Sequence, residues 1–198
     1  MKIACIDLEG VLIPELWPHI AQETGIASLS LTTREFPNYP ELMRTRIETL
    51  RRNSLTLATL QSITANITPF PDAQEFLHRL QKEYDVSIIS DCFHELIGPI
   101  LNTLGSPKIK CHRFNIDPAG YVDHCVYFNR QGKETHVAQA LTEGAKVLAV
   151  GDAYNDLNML RLAHHGFLIR PSNSTRAAAP ELPVVNSLSE VFERVAFE

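Results

Sequence analysis

What the chain has little of narrows its class. Basic residues are in deficit: 18 lysines and arginines stand against 23 aspartates and glutamates, a net charge of −5 with the histidines neutral. A general nucleic-acid binder needs a basic stripe, so that class is disfavoured. An anionic ligand remains allowed, because a few placed cations and a metal can reverse the local field. Long apolar runs are missing, and none approaches the ~20 residues of a membrane span. Asp7 and Glu9 interrupt the first apolar run before a signal core could form, so no secretory leader is expected. Cysteine is limited to positions 5, 92, 111 and 125, without C-x-x-C spacing or histidines at zinc intervals. Those thiols read as buried side chains in a reducing compartment, and the expected location is the cytoplasm. The eight histidines are scattered without metal spacing.

What is present is an ordinary globular composition, 44% hydrophobic and 21% charged over 198 residues. That length suits one sizeable domain or a domain carrying a small insertion. The stretch IACIDLEGVL, residues 3–12, poses the first chemical problem. An apolar strand over residues 2–6 runs into Asp7 and Glu9, which a β conformation points to one side. Two carboxylates so placed repel unless a cation lies between them or one keeps its proton.

From Pro14 the apolar period becomes helical through Leu16, Trp17, Ile20 and Ala21, ending at Gly25. A second helix is expected over 40–52, with Leu42, Met43, Ile47 and Leu50 in one stripe and Arg46 inside it. A third covers 56–66. Three helices without a strand break the βα rhythm and point to a helical insertion. After Pro69-Phe70-Pro71 the alternation resumes. Asp72 is expected to cap a helix with Glu75 at capping-box spacing. A strand over 86–90 ends at Ser90-Asp91, and a helix over 93–104 stops at Gly105. Residues 108–128 read as an extended hairpin around Asp117-Pro118-Ala119-Gly120, either a dimer arm or an extension of the sheet. A helix follows Gly132, a strand over 147–150 ends at Gly151-Asp152, and a helix covers about 155–163. A GFLI strand and an amphipathic SLSEVFERV helix close the chain. The fold class is therefore α/β, a doubly wound and mostly parallel sheet. In such a sheet the strand ends carrying Asp7-Leu8-Glu9, Ser90 and Gly151-Asp152 converge on one crevice.

Singly, each residue has a bland explanation: a turn former, a capping serine, a solvated lysine. Together they fit phosphoryl transfer. A phosphomonoester repels a carboxylate nucleophile, so attack requires compensating positive charge. Mg2+ held by Asp7 and Asp152 would supply it, Lys133 would add a point charge, and Ser90 a hydrogen bond. Asp7 could then form an aspartyl-phosphate, with Glu9 protonating the leaving alcohol.

At this point the chain resembles the haloacid dehalogenase-like phosphohydrolases. Their D-x-D-x-[TV] motif stands as Asp7-Leu8-Glu9-Gly10-Val11, followed in family order by Ser90, Lys133 and the GDxxND of residues 151–156. The resemblance implies a Rossmann-like core, residues 1–13 and 68–198, with a small helical cap at 14–67. The position of the cap is similar to that of the phosphoserine phosphatase branch. DLEGVL, residues 7–12, resembles members of that branch that also pass the phosphoryl group to homoserine. The resemblance implies catalytic roles for Asp7, Glu9 and Lys133, and Mg2+ ligation by Asp7, Glu9 and Asp152. Substrate contacts fall to Glu15, Arg46, Ser90, Asp91, Lys133 and Asn155, while Asp156 orients the metal site. Glu15 suits the α-ammonium of phosphoserine and Arg46 its α-carboxylate. Partners expected are small molecules, neither nucleic acid nor membrane, with a homodimer left open. The motif departs from most of the family at Glu9, where Asp is usual. The extra methylene shifts the carboxyl by roughly one bond length, which could slow transfer to water and let an alcohol compete. Two alternatives stand beside this reading: a phosphatase for another small phosphomonoester, and a catalytically silent binder of a phosphorylated metabolite.

Overall fold

The computed structural model describes residues 1–32, 38–128 and 131–195. Apolar strands alternate with amphipathic helices, and among the described residues seven strands form one sheet. In chain order the elements are β1 (Lys2–Ile6), α1 (Leu16–Thr24), α2 (Tyr39–Arg52), α3 (Leu57–Thr64), α4 (Ala73–Leu80), β2 (Asp85–Phe93), α5 (His94–Thr103), β3 (Lys108–Ile116) and β4 (Val122–Val126). Then come α6 (Glu134–Thr142), β5 (Lys146–Gly151), α7 (Leu157–Leu162), β6 (His165–Ile169), α8 (Asn173–Ala178), β7 (Val184–Val185) and α9 (Leu188–Val195). The spatial order is β4-β3-β2-β1-β5-β6-β7, parallel except for β4.

Alternation along β1 divides the core between the two faces of the sheet. Ala4 and Ile6 pack into the larger cluster with Phe76, Leu77, Ile97 and Val191, from α4, α5 and α9. Cys5 faces the other cluster, built from Val137 and Ala140 of α6 with Leu157 and Leu160 of α7. Because β1 lies between β2 and β5, the chain order reverses there. Its carboxyl end opens the crevice in which such sheets bind ligands.

Several boundaries differ from the sequence expectation, each for a local reason. β2 does not stop at Ser90 but runs on to Phe93, with a register shift against β3 between Ile89 and Phe93. Phe93 is fully buried and stacks on Phe114 with centroids 3.8 Å apart, which holds the strand in the sheet past the bulge. Asp72 occupies the N-cap position of α4 without capping it; its carboxylate instead accepts the N–H of Leu188 at 3.1 Å, at the start of α9. The helix expected over 155–163 begins as a single 3₁₀ turn at Tyr154–Asp156 before α7. Short α8 and two-residue β7 had no usable period. Residues 108–126 extend the sheet: β3 and β4 form an antiparallel hairpin whose turn is closed by Asp117 Oδ1, accepting from Ala119 and Tyr121.

The first three helices after β1, α1 to α3, lie against the core at several points. Tyr39, opening α2, donates its hydroxyl to the Asp91 carbonyl at 2.9 Å. Arg51 pairs with Asp117 at 2.7 Å, and the Leu57 N–H reaches the Gly120 carbonyl. Thr64 on α3 donates to the Leu96 carbonyl. Because Phe93 is fully buried and stacked on Phe114, Phe93→Ala is expected to cost about 3–5 kcal/mol in urea unfolding.

Candidate active site

Asp7 follows directly on β1, and its N–H continues the ladder to the Val150 carbonyl at 2.9 Å. Its Oδ1 accepts from the Leu8 N–H at 2.8 Å and from Lys133 Nζ at 2.8 Å. The second oxygen takes part in neither of these bonds. Lys133, at the start of α6, also reaches Asp156 Oδ1 at 2.7 Å. It is 4% exposed, so this ammonium has been taken out of water between two carboxylates. Burial works against its charge, but Asp156 and Asp7 outweigh that and hold it protonated. Asp7 itself is driven upward by burial and then by Asp156, with Lys133 pulling the other way.

Carboxylate oxygens of Asp7, Asp152 and Asp156 lie within 4.8 Å of one another. Three acids against one ammonium leave two negative charges in excess in a poorly solvated space. Asp152 Oδ1 is buried without a hydrogen-bond partner among the described residues. The backbone makes room for this crowding. Gly10 has φ +74°, and a Cβ there would lie 2.3 Å from Asp152 Oδ2; one at Gly151 would lie 2.5 Å from Asp156 Cβ. An unsatisfied oxygen and a doubly negative carboxylate cage fit a hard divalent cation. Asp156 fits an orienting role: its Oδ2 accepts from the Asp152 and Ala153 N–H groups while Oδ1 serves Lys133.

Glu9 was expected in that cage as a ligand, and its carboxyl is not among the clustered three. The loop turns it toward α1, where Oε1 accepts the Leu16 N–H at 2.7 Å, filling a donor the first helical turn leaves open. Burial first, then the charge of Glu15, push Glu9 up to about 8. Asp91, expected as a substrate contact, makes polar contacts within the protein. Its carboxylate receives Asn155 Nδ2 at 2.7 Å, and His112 Nε2 lies 3.6 Å from its other oxygen. Ser90 is 4% exposed, and its Oγ accepts the Cys92 N–H across the bulge.

Comparison with known proteins follows the same plan. The family model of the haloacid dehalogenase-like hydrolases matches residues 1–164. The chain belongs to the haloacid dehalogenase-like hydrolases. It is 36% identical over 191 residues to "Phosphoserine phosphatase ThrH" of Pseudomonas aeruginosa, covering 96% of this chain and 93% of that protein. A "Phosphoserine phosphatase" of Pseudomonas syringae pv. tomato is equally identical over 96% of this chain and 81% of its own length. Among solved structures, a phosphoserine phosphatase in apo form superposes with a TM-score of 0.78 at 20% identity, covering 97% and 98% of the two chains. A phospho-aspartyl intermediate analogue of phosphoserine phosphatase gives 0.77 at 20% identity, covering 98% of each. At that identity the structural likeness establishes the fold.

In this hydrolase the wall of the chamber facing the acids is helical. Arg46 on α2 is 5% exposed; it lies over the Trp17 ring at 4.3 Å and donates to the Leu31 carbonyl at 2.7 Å. The sequence left open that it snorkels to water, which burial excludes. It forms no ion pair among the described residues, and its Nε has no partner there. Burial lowers its pKa to about 10, so it stays charged. Glu15 precedes α1 at the N-cap position but makes no capping bond, and it is exposed at the mouth. Both acids, Glu9 and Glu15, feel the charges of Arg46 and Lys133. Sequence reasoning missed Trp17, which looked like an ordinary apolar helix position, and Tyr39, which precedes the helix expected over 40–52. Trp17 beneath an arginine in the opposite stripe was the one available hint.

The charge imbalance yields a prediction. In metal-free protein, burial, then Asp156 and Glu15, push Asp152 up to about 7. Its folded value lies above the unfolded one, so the folded state binds the proton more tightly and stability falls as pH rises from about 4 to 7. Mg2+ at about 100 times its Kd should raise Tm by roughly 5–10 °C. That gain should be larger at pH 8 than at pH 6 and be lost in Asp152→Asn, as differential scanning fluorimetry would read.

Proposed function

We propose that this hydrolase is a Mg2+-dependent phosphoserine phosphatase working through phosphorylation of Asp7, and that it also passes the phosphoryl group to homoserine. The names of its Pseudomonas relatives support the hydrolytic half. The transfer half rests on the DLEGVL resemblance. The observation carrying the substrate reading is Arg46: a buried guanidinium, clamped by Trp17 and the Leu31 carbonyl, with no carboxylate of its own among the described residues. Stranding such a charge is costly unless a ligand supplies the anion. The α-carboxylate of phosphoserine does so, while Glu15 at the mouth accepts the α-ammonium.

Asp7 and Asp152 are the residues proposed to hold the ion, with Asp156 orienting them. When bound, Mg2+ would neutralise charge on the phosphoryl oxygens and on the attacking carboxylate. Lys133 keeps Asp7 Oδ1 occupied and adds its own charge beside the phosphoryl site. The free Asp7 oxygen attacks phosphorus, and the bond from phosphorus to the serine oxygen breaks. Glu9, held protonated at neutral pH by a pKa of about 8, gives its proton to that oxygen. The resulting Glu9 carboxylate takes a proton from water, whose oxygen attacks phosphorus and returns Asp7 and inorganic phosphate. Homoserine, entering in place of water, would lose its hydroxyl proton to Glu9 in the same way. Ser90 donates to a phosphoryl oxygen, with Asn155, steadied by Asp91, beside it. The helices over 14–67 act as the cap closing this chamber.

Phosphate release from phosphoserine and from p-nitrophenyl phosphate, with and without homoserine, tests the assignment. Arg46→Ala should lower kcat/KM for phosphoserine by about 100-fold while sparing p-nitrophenyl phosphate, which has no carboxylate to lose. Equal losses on both substrates would point to another phosphomonoester. Binding without turnover would indicate the silent receptor.

A further inference from the structure

The segment between the two reactive acids and the first helix is held from outside by one residue far along the chain. Internally, the Leu8 carbonyl accepts from Leu12 and Ile13, and the Gly10 N–H donates to the Ile13 carbonyl. The carbonyls of Gly10 and Val11 are taken by a single guanidinium nitrogen: Arg170 Nη2, at 3.2 and 2.9 Å. Arg170 follows directly on β6. Its guanidinium carbon lies 4.7 Å from the Phe70 ring centroid, and the Phe70 N–H donates to the Leu12 carbonyl at 2.9 Å. The clip therefore joins the loop after β1, the strand end of β6 and the segment leading into α4.

Two features separate this arginine from an ordinary surface one. Among the described residues it pairs with no carboxylate and spends its donors on main-chain oxygens. Its backbone has φ 45°, a left-handed conformation that side-chain-bearing residues seldom adopt, kept by the N–H bond to the Val185 carbonyl. Such cost persists where surrounding structure imposes it, often beside functional groups. Asp7 does not need the clip, because the β ladder, Lys133 and the Leu8 N–H already fix it. Glu9 does need it. It precedes Gly10 immediately, and its carboxyl is anchored through the Leu16 N–H, on the far side of the loop that the clip holds.

We infer that Arg170 is a positioning residue for Glu9: by fixing the Gly10–Val11 carbonyls it sets where the proton donor stands relative to the leaving oxygen. This rests on the proposed role of Glu9 in phosphoryl transfer. A displacement of about 1 Å in a catalytic group is enough to cost much of its effect. The nucleophile stays put, so the loss falls on the step that needs a proton.

Arg170→Gly is the informative variant, since glycine keeps the left-handed backbone and removes only the side chain. Steady-state kinetics with phosphoserine, whose alkoxide leaving group needs protonation, is compared with p-nitrophenyl phosphate, whose leaving group does not. We expect kcat/KM for phosphoserine, which reports the steps up to departure of the leaving group, to fall about 10- to 100-fold, and kcat/KM for p-nitrophenyl phosphate to stay within about threefold. Ethylguanidinium should restore part of the loss. Equal losses on both substrates, or none on either, overturn the inference. If Arg170→Gly does not fold, Arg170→Lys, which keeps one donor, is put to the same comparison, and the same outcomes support or overturn the inference. Wild-type protein that cleaves p-nitrophenyl phosphate but not phosphoserine counts against the substrate reading alone. The comparison on glycerol phosphate, also an alkyl ester, then decides Arg170.

Discussion

The structure depends on one buried ammonium placed between two carboxylates. Lys133 bridges Asp7 and Asp156, and a third acid, Asp152, closes the group with an oxygen that no described residue satisfies. Coulomb repulsion among three acids in a space poor in water is severe, and one lysine neutralises a third of it. The surrounding fold is arranged to tolerate the remainder. Parallel strands bring the acids to one edge, α6 delivers Lys133, and two glycines remove the Cβ atoms that would collide with the carboxylates. In the proposed mechanism a divalent cation completes this balance better than protonation does, because protonating Asp7 would remove its nucleophile.

A second charge problem sits across the chamber and has the same form. Arg46 is charged, buried and, among the described residues, without a carboxylate, supported by stacking on Trp17 and one main-chain carbonyl. One wall thus has surplus negative charge and the other an unmatched positive one. In the proposed reading a divalent cation relieves the first wall and the carboxylate of the substrate relieves the second. The helical layer bearing Arg46 is tied to the core by hydrogen bonds from Tyr39, Leu57 and Thr64, none of which involves the reacting groups. That layer therefore meets the core at β2, at the β3–β4 turn and at α5.

Much of this was legible because it follows from short-range rules. Strands ending in Asp7 and Gly151-Asp152 announce a crevice once their parallel order is inferred, and an arginine inside an apolar stripe announces an absent anion. What escaped depended on backbone detail or on long sequence separation. The direction of Glu9 follows from a loop with Gly10 at positive φ and from the open N–H of Leu16, neither of which a β-strand reading contains. The extension of β2 beyond Ser90 comes from Phe93 stacking on Phe114, a tertiary contact that overrides the local turn signal. Asp72 looked like a cap for α4 and instead serves α9, 116 residues away. Arg170 reaches Gly10 over 160 residues and carries no motif at all.

The account stands on Asp7 becoming phosphorylated. Its most direct test is rapid acid quenching of the protein during turnover of phosphoserine with Mg2+, followed by peptide mass spectrometry. A phosphoryl group on the peptide containing Asp7, labile at alkaline pH and missing from Asp7→Asn and from chelator-treated protein, is the result expected. Full turnover without that adduct, or an adduct on another residue, would contradict it.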